Sequence, residues 1–251
     1  LSALRLVSAL CAVASVPVVA VLAARLAGRA TALVATVIVS ASWMLLFHGV
    51  YGRMYSIFLL TSTLSFVAFL AAIRDGGRKR WGLWAAAVLL TVATHPYGAL
   101  VFAVQALYVV TRARTREALL GVAAVAVAGA PFWYTDLVLA GRFDVGVGTG
   151  GTKIDGPVAL LEYLGRVAGD FSAGFLAVLV PVLGLAAVGG RRLWLENRAA
   201  LSLAALVVLV PSAALLLARL GERQDARRVS YRTHLLLHPA RRGVRRQRDE
   251  R

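Results

Sequence analysis

The sequence predicts an all-α protein, a polytopic bundle of transmembrane helices. Of its 251 residues 59% are hydrophobic and only 16% charged, with a mean hydropathy of +0.75, a balance no ordinary soluble domain can hide from water. Nearly uncharged apolar runs about twenty residues long recur along the chain. The charges that remain are gathered into short clusters between those runs.

The long runs are 6–27, 30–50, 55–73, 172–190 and 199–219, and shorter ones cover 81–94, 97–111 and 117–139. Each long run can cross a hydrocarbon core of about 30 Å as a helix whose backbone groups are satisfied internally. Their richness in Ala, Val, Leu and Gly suits close helix packing in lipid. The single cysteine, Cys11, lies inside the first run, cannot form an internal disulfide, and reads as a small packing residue.

The basic clusters set the topology. Arg25 and Arg29 separate the first two runs. Arg74, Arg78, Lys79 and Arg80 follow the third, Arg112, Arg114 and Arg116 the fifth, and Arg191, Arg192 and Arg198 the seventh. With all four clusters on the cytoplasmic side, the chain weaves through about eight crossings, starting outside. Three connections then face outward: 48–55, His95-Pro96-Tyr97, and 141–171. The last opens with a glycine-rich loop, and its pattern of Val158, Leu160, Leu161, Leu164 and Val167 among Glu162, Arg166 and Asp170 predicts a short amphipathic surface helix. Membrane localisation with an extracytoplasmic working face is the expectation.

The net charge of +16 lies partly in the inner clusters, whose natural partners are anionic membrane lipids. The rest lies after Gly221, where ten arginines meet four acids. Residues 1–219 therefore read as the membrane domain and 220–251 as a basic, disordered tail, one that sits against the charge rule on the outer side. No basic stretch interleaved with aromatics speaks for nucleic acid. The chain begins with Leu1 and shows no signal peptide, so it reads as an internal piece of a longer protein.

One polar cluster breaks the apolar pattern: His48-Gly-Val-Tyr51-Gly-Arg53-Met-Tyr55-Ser56. Arg53 is a cation at the outer end of two crossings, where the charge rule expects none. A guanidinium flanked by tyrosine hydroxyls and an imidazole can grip phosphate oxygens bidentately. The bland alternative is an arginine snorkelling to the interface within a tyrosine belt.

The run Tyr51-Gly-Arg53-Met-Tyr55-Ser56 resembles the Arg-x-Tyr-Ser motif of the polytopic GT-C glycosyltransferases related to dolichyl-phosphate-mannose protein mannosyltransferases. Leu4-Arg5-Leu6-Val7-Ser8 is similar to the family's Arg-Leu-Pro-Ser, and Thr94-His95-Pro96-Tyr97 to its Thr-His-Tyr turn. Order and spacing match over roughly residues 4–140. The resemblance implies transfer of a sugar, of the mannose or arabinose class, from a polyprenyl-phosphate donor to a hydroxyl of a lipid, polysaccharide or protein acceptor. It implies donor-phosphate binding by Arg53, Tyr55 and His48, and substrate contacts by His95 and Tyr97.

The chain departs from the family in one respect. The catalytic carboxylate of such enzymes stands in the first external loop, which here would precede Leu1, so this piece lacks its general base and is expected to be inactive alone. Asp136, after Pro131-Phe-Trp-Tyr, is a candidate for sugar or metal contact, or simply an interfacial acid. His95, which precedes Pro96, has the alternative of merely ending a helix. No spacing of carboxylates and histidines forms a metal motif, and no cofactor is implied. The rival from another class is a transporter or lipid flippase that binds a phosphate without chemistry. It would show repeats and midplane polar residues rather than polar residues gathered at one edge.

Overall fold

The computed structural model describes residues 2–50, 54–143, 157–171, 176–214 and 217. Every regular element among them is a helix: α1 (Ser2–Ala27), α2 (Arg29–Ser40), α3 (Trp43–Val50), α4 (Tyr55–Asp75), α5 (Arg78–Thr94), α6 (Gly98–Arg112), α7 (Arg116–Ala128), α8 (Ala130–Phe143), α9 (Pro157–Phe171), α10 (Leu176–Glu196) and α11 (Arg198–Ala214). The glycine-rich loop expected before α9 and the basic tail after Gly221 lie outside the described residues.

The core joins Phe69, Trp81, Trp84, Val88, Val104 and Val109, but the inward faces of α1 and of the start of α4 are small and hydroxyl-bearing. On α1, Leu4, Leu10 and Val13 are 60–70% exposed, while Ser8, Ala12 and Ser15 face the neighbouring helices. On α4 the inward positions include Ser56, Thr61, Thr63 and Ser65. Small and hydroxyl residues bring helix backbones close, and leaving the large aliphatic side chains outside is favourable only where the surroundings are as apolar as they are. The buried hydroxyls need no water, because Ser15 donates to Ala12 O (2.6 Å), Thr63 to Leu59 O (2.7 Å) and Ser65 to Ser62 O (2.7 Å) within their own helices.

Side-chain pairs fix the directions of the helices. α1 and α4 run the same way, since Ser8 Oγ donates to Ser56 Oγ (3.1 Å) and Arg25 reaches Val67 O (2.9 Å) further along. α4 and α5 run oppositely, with Thr61 beside Thr94 (3.4 Å) at one end and Phe69 packed on Trp81 and Trp84 toward the other. α5 is crossed by α6 through a closed polar chain: Trp84 Nε1 donates to Gln105 Oε1 (2.6 Å), and Gln105 Nε2 donates to Ser65 Oγ on α4 (3.0 Å). α7 lies parallel to α5, tied to it where the Gly77 amide donates to Glu117 Oε2 (2.9 Å). Gly76 and Gly77, both at positive φ, make the sharp reversal between α4 and α5.

One end of the bundle therefore carries Arg25, Arg74, Arg78, Lys79, Arg80, Arg112 and Arg116. The start of α11 joins it, with Asn197 and Leu203 beside Arg25 and Tyr108. The charge clusters that are separate in sequence are neighbours in space.

The crossings differ in detail from the hydropathy runs. Among the described residues two helices, α1 and α4, are long and apolar enough to span a membrane, or three if the bent pair α7–α8 is one span. The run 30–50 is split into α2 and α3, because Ser42 Oγ donates to Val39 O (2.9 Å) and accepts from Leu45 N (3.3 Å), closing one helix and capping the next. The run 117–139 bends by 48° at Gly129, since Pro131 has no amide to continue the ladder. Helix continues to Phe143 where the sequence suggests a loop from Gly141, and α10 continues through Arg191 and Arg192 to Glu196.

α5 and α6 meet where Gly98 has no side chain. A Cβ there would stand 2.6 Å from Thr91 O and from Val92 Cα, both backbone atoms that cannot move aside singly. Gly98→Ala is expected to destabilise the protein by roughly 3 kcal/mol, read as a lower melting temperature in detergent. Gly82→Ala, on the open face of α5, should leave it unchanged or slightly raised. Equal effects of the two would show that α5 and α6 are not packed this way.

Candidate functional site

At the end of the bundle opposite the basic clusters, the start of α4 faces the turn between α5 and α6. Tyr55, Phe58, Leu59 and Ser62 fall at three- and four-residue spacings and form one stripe on α4. Opposite them, Pro96 forces His95 out of helical conformation (φ −160°, ψ 140°) and ends α5. The turn is then held by Gly98 N donating to His95 O (2.8 Å) and Ala99 N to Pro96 O (3.1 Å). Between stripe and turn lies a cavity of about 320 Å³, lined also by Leu45 and Ser56 and by Tyr97.

Aromatic rings make its wall. The His95 ring sits 5.6 Å from Tyr55, 5.0 Å from Phe58 and 4.8 Å from Tyr97, centroid to centroid. His95 is buried, and its Nδ1 accepts the Tyr97 backbone amide (3.1 Å). An imidazole that accepts at Nδ1 carries its proton on Nε2 and is neutral. Burial holds its pKa below the ordinary histidine value.

The lining is therefore uncharged: an imidazole, phenols, seryl hydroxyls and aromatic faces. Such a set can hydrogen-bond the hydroxyls of a ring-sized polar group while stacking on its C–H face. Among the described lining residues there is no cation with which to hold a phosphate. A second, apolar groove of about 500 Å³ runs between α1 and the α2–α3 break, from Val13 and Pro17 to Leu46 and Gly49. It shares Leu45 with the first cavity.

Three of the sequence-predicted residues come together here: Tyr55, His95 and Tyr97. Arg53, on which the phosphate reading turns, lies outside the described residues, two positions before Tyr55. The backbone of His48 belongs to α3, which also supplies Leu45. Asp136 is half-buried on α8 beyond the Gly129 bend and does not line the cavity. Among the described residues no group of three or more His, Cys, Asp or Glu is placed to hold a metal ion.

Sequence reasoning missed Phe58, Ser62 and the Ser8–Ser56 pair. The 55/58/59/62 spacing was a usable signal for the first two. The third joins pieces 48 residues apart and had no local signature. In comparison with known proteins, no family model, no curated protein and no solved structure matches the chain.

The neutral histidine makes the site sensitive to acid. As pH falls below the ordinary imidazole range, the unfolded chain takes up a proton before the buried ring does, so stability present above that range is lost on acidification. Titration of the histidine resonances should give His95 a midpoint below 6.5, and His95→Gln should flatten the acid loss of stability. A midpoint at or above that value would contradict the buried, Nδ1-accepting ring.

Proposed function

We propose that the chain is the membrane portion of a GT-C-like glycosyltransferase, moving a sugar from a polyprenyl-phosphate donor to a hydroxyl acceptor at the extracytoplasmic face. The observation that carries this reading is the convergence of its three motif stretches. Ser8 of the first is hydrogen-bonded to Ser56 of the second, whose Tyr55 ring stands against His95 of the third. Around them lies a neutral aromatic cavity, and beside it an apolar groove.

In this reading the basic end is cytoplasmic and the bundle crosses the membrane about eight times, some crossings being broken or bent helices. α5 and α6, with 17 and 15 residues, extend only about 26 and 23 Å. Their exposed terminal arginines snorkel and let the bilayer thin around them.

The sugar occupies the cavity, its ring on the aromatic wall and its hydroxyls on His95 Nε2 and the seryl groups. The prenyl chain follows the groove past Leu45. In the transfer the bond from the anomeric carbon to the phosphate oxygen breaks, and the electron pair leaves with the polyprenyl phosphate. The acceptor oxygen forms the new bond, and its proton passes to a general base. In this reading Arg53, two positions before Tyr55 in the sequence, meets the negative charge that grows on the departing phosphate. No carboxylate is among the described cavity-lining residues, and on the same reading those residues bind and orient the sugar.

A flippase reading needs a polar path through the middle of the bundle. The mid-bundle polar groups, Trp84, Gln105 and Ser65, are buried and hydrogen-bonded to one another, which favours chemistry at one face over passage across it.

In membranes carrying the full-length protein, with polyprenyl-phosphate mannose and arabinose as donors, Arg53→Ala should lower transfer by about 100-fold or more. Arg53→Lys should recover only part, since the bidentate fork is lost. Near-wild-type transfer by Arg53→Ala would refute the phosphate role. Movement of labelled polyprenyl phosphate across reconstituted vesicles, without transfer, would replace the enzyme with the flippase.

A further inference from the structure

At the basic end, far from the aromatic cavity, α1, α4, α6 and the start of α11 enclose a second polar pocket of about 270 Å³. Arg25 and Arg74 stand at its rim and Tyr108 at its wall, and Leu70 and Leu203 give it an apolar floor. We propose that this pocket binds the phosphate headgroup of an anionic membrane phospholipid, with the acyl chains lying along the outward aliphatic faces of the bundle.

Three observations point to an amphiphilic anion. Arg25 spends one guanidinium nitrogen on Val67 O, which fixes its head at the pocket and leaves further N–H groups for an oxygen ligand. Arg74 is oriented by two hydrogen bonds to Asp75, and Asp75 is shared with Arg80, so cationic charge exceeds anionic at this rim. The Tyr108 ring is buried, but its hydroxyl is not a buried atom left without a partner: with no hydrogen bond among the described residues, it is open at the pocket wall. A hydroxyl that opens on the pocket can donate to an oxygen bound there. A phosphate oxygen within the pocket would accept from Tyr108 and from Arg25 together.

The apolar floor separates a lipid from a free ion. Inorganic phosphate would gain nothing from Leu70 and Leu203, whereas the glycerol and first methylenes of a lipid would cover them. Basic pockets between helices at a membrane surface are suited to such headgroups.

The test uses the whole chain purified in detergent, with binding followed by melting temperature and by native mass spectrometry. Phosphatidylglycerol should raise the melting temperature and remain bound, while phosphatidylcholine and inorganic phosphate should not. Arg25→Gln and Tyr108→Phe should each weaken phosphatidylglycerol binding about tenfold. Lys79→Gln removes the same charge from the same end but does not line the pocket, and should leave binding unchanged. Equal loss in Arg25→Gln and Lys79→Gln would overturn the site in favour of diffuse surface charge. An equal shift with inorganic phosphate would overturn the lipid in favour of the free anion. Unchanged binding in Tyr108→Phe, which keeps the packing of the ring, would also overturn it.

Discussion

In lipid, helices are not driven together by burial of apolar side chains, because the solvent is as apolar as they are, and every backbone amide must find its partner within the protein. Two helices among the described residues, or three if the bent pair is one span, are long and apolar enough to cross a membrane, and the packing is compatible with that constraint. Many leucines and valines, as on α1, face outward, while an interior of Phe69, Trp84, Val88, Val104 and Val109 is joined by buried serines and threonines whose hydroxyls close on carbonyls of their own helices. Where a larger polar group is buried, as at Gln105, both ends of its amide are occupied, by Trp84 and by Ser65. An amide in that position with one end empty would cost about 1–3 kcal/mol. The chain of three therefore fixes α4, α5 and α6 in one register, with Phe69 and Tyr108 packed edge to face beside it.

That register gives the two ends of the bundle different chemistry. The same alternation of direction that stacks Phe69 on Trp84 carries the arginine clusters to one end and the turn at His95 to the other. α4 itself separates them, for Tyr55 opens it and Arg74 closes it, about 30 Å apart along the helix. The end with the turn is neutral, aromatic and hydroxyl-bearing. The end with the clusters is cationic and opens the Tyr108 hydroxyl on a polar pocket. The chemistry suggested for each, a sugar at one and a lipid phosphate at the other, follows from this division.

The helical class was legible in composition and in the runs, since bilayer length and apolarity are properties of single segments. The breaks were harder to see. Ser40-Ala41-Ser42 interrupts an otherwise apolar run, but hydropathy averages over it, and only the capping bonds of Ser42 reveal why α2 ends. Gly129 and Pro131 carry the signal of a bend, yet 117–139 reads as one run by hydropathy, and Gln105, a lone amide in α6, does not name its partners. Of the site, Tyr55 stood out in the polar cluster that interrupts the apolar pattern, and His95 and Tyr97 were picked out through the resemblance of Thr94-His95-Pro96-Tyr97 to a family turn. Ser8 could not be joined to Ser56 from sequence, nor Arg25 to Tyr108, because those pairings depend on which helices become neighbours.

The central claim is that the aromatic cavity and the arginine clusters stand at opposite ends of a membrane-crossing bundle. Single cysteines placed at Met54, exposed beside the cavity, and at Lys79, exposed among the arginines, in a Cys11→Ser background test it directly. A membrane-impermeant maleimide should label Met54→Cys in intact cells and Lys79→Cys only in inverted vesicles. Labelling of both from the same side would contradict the account.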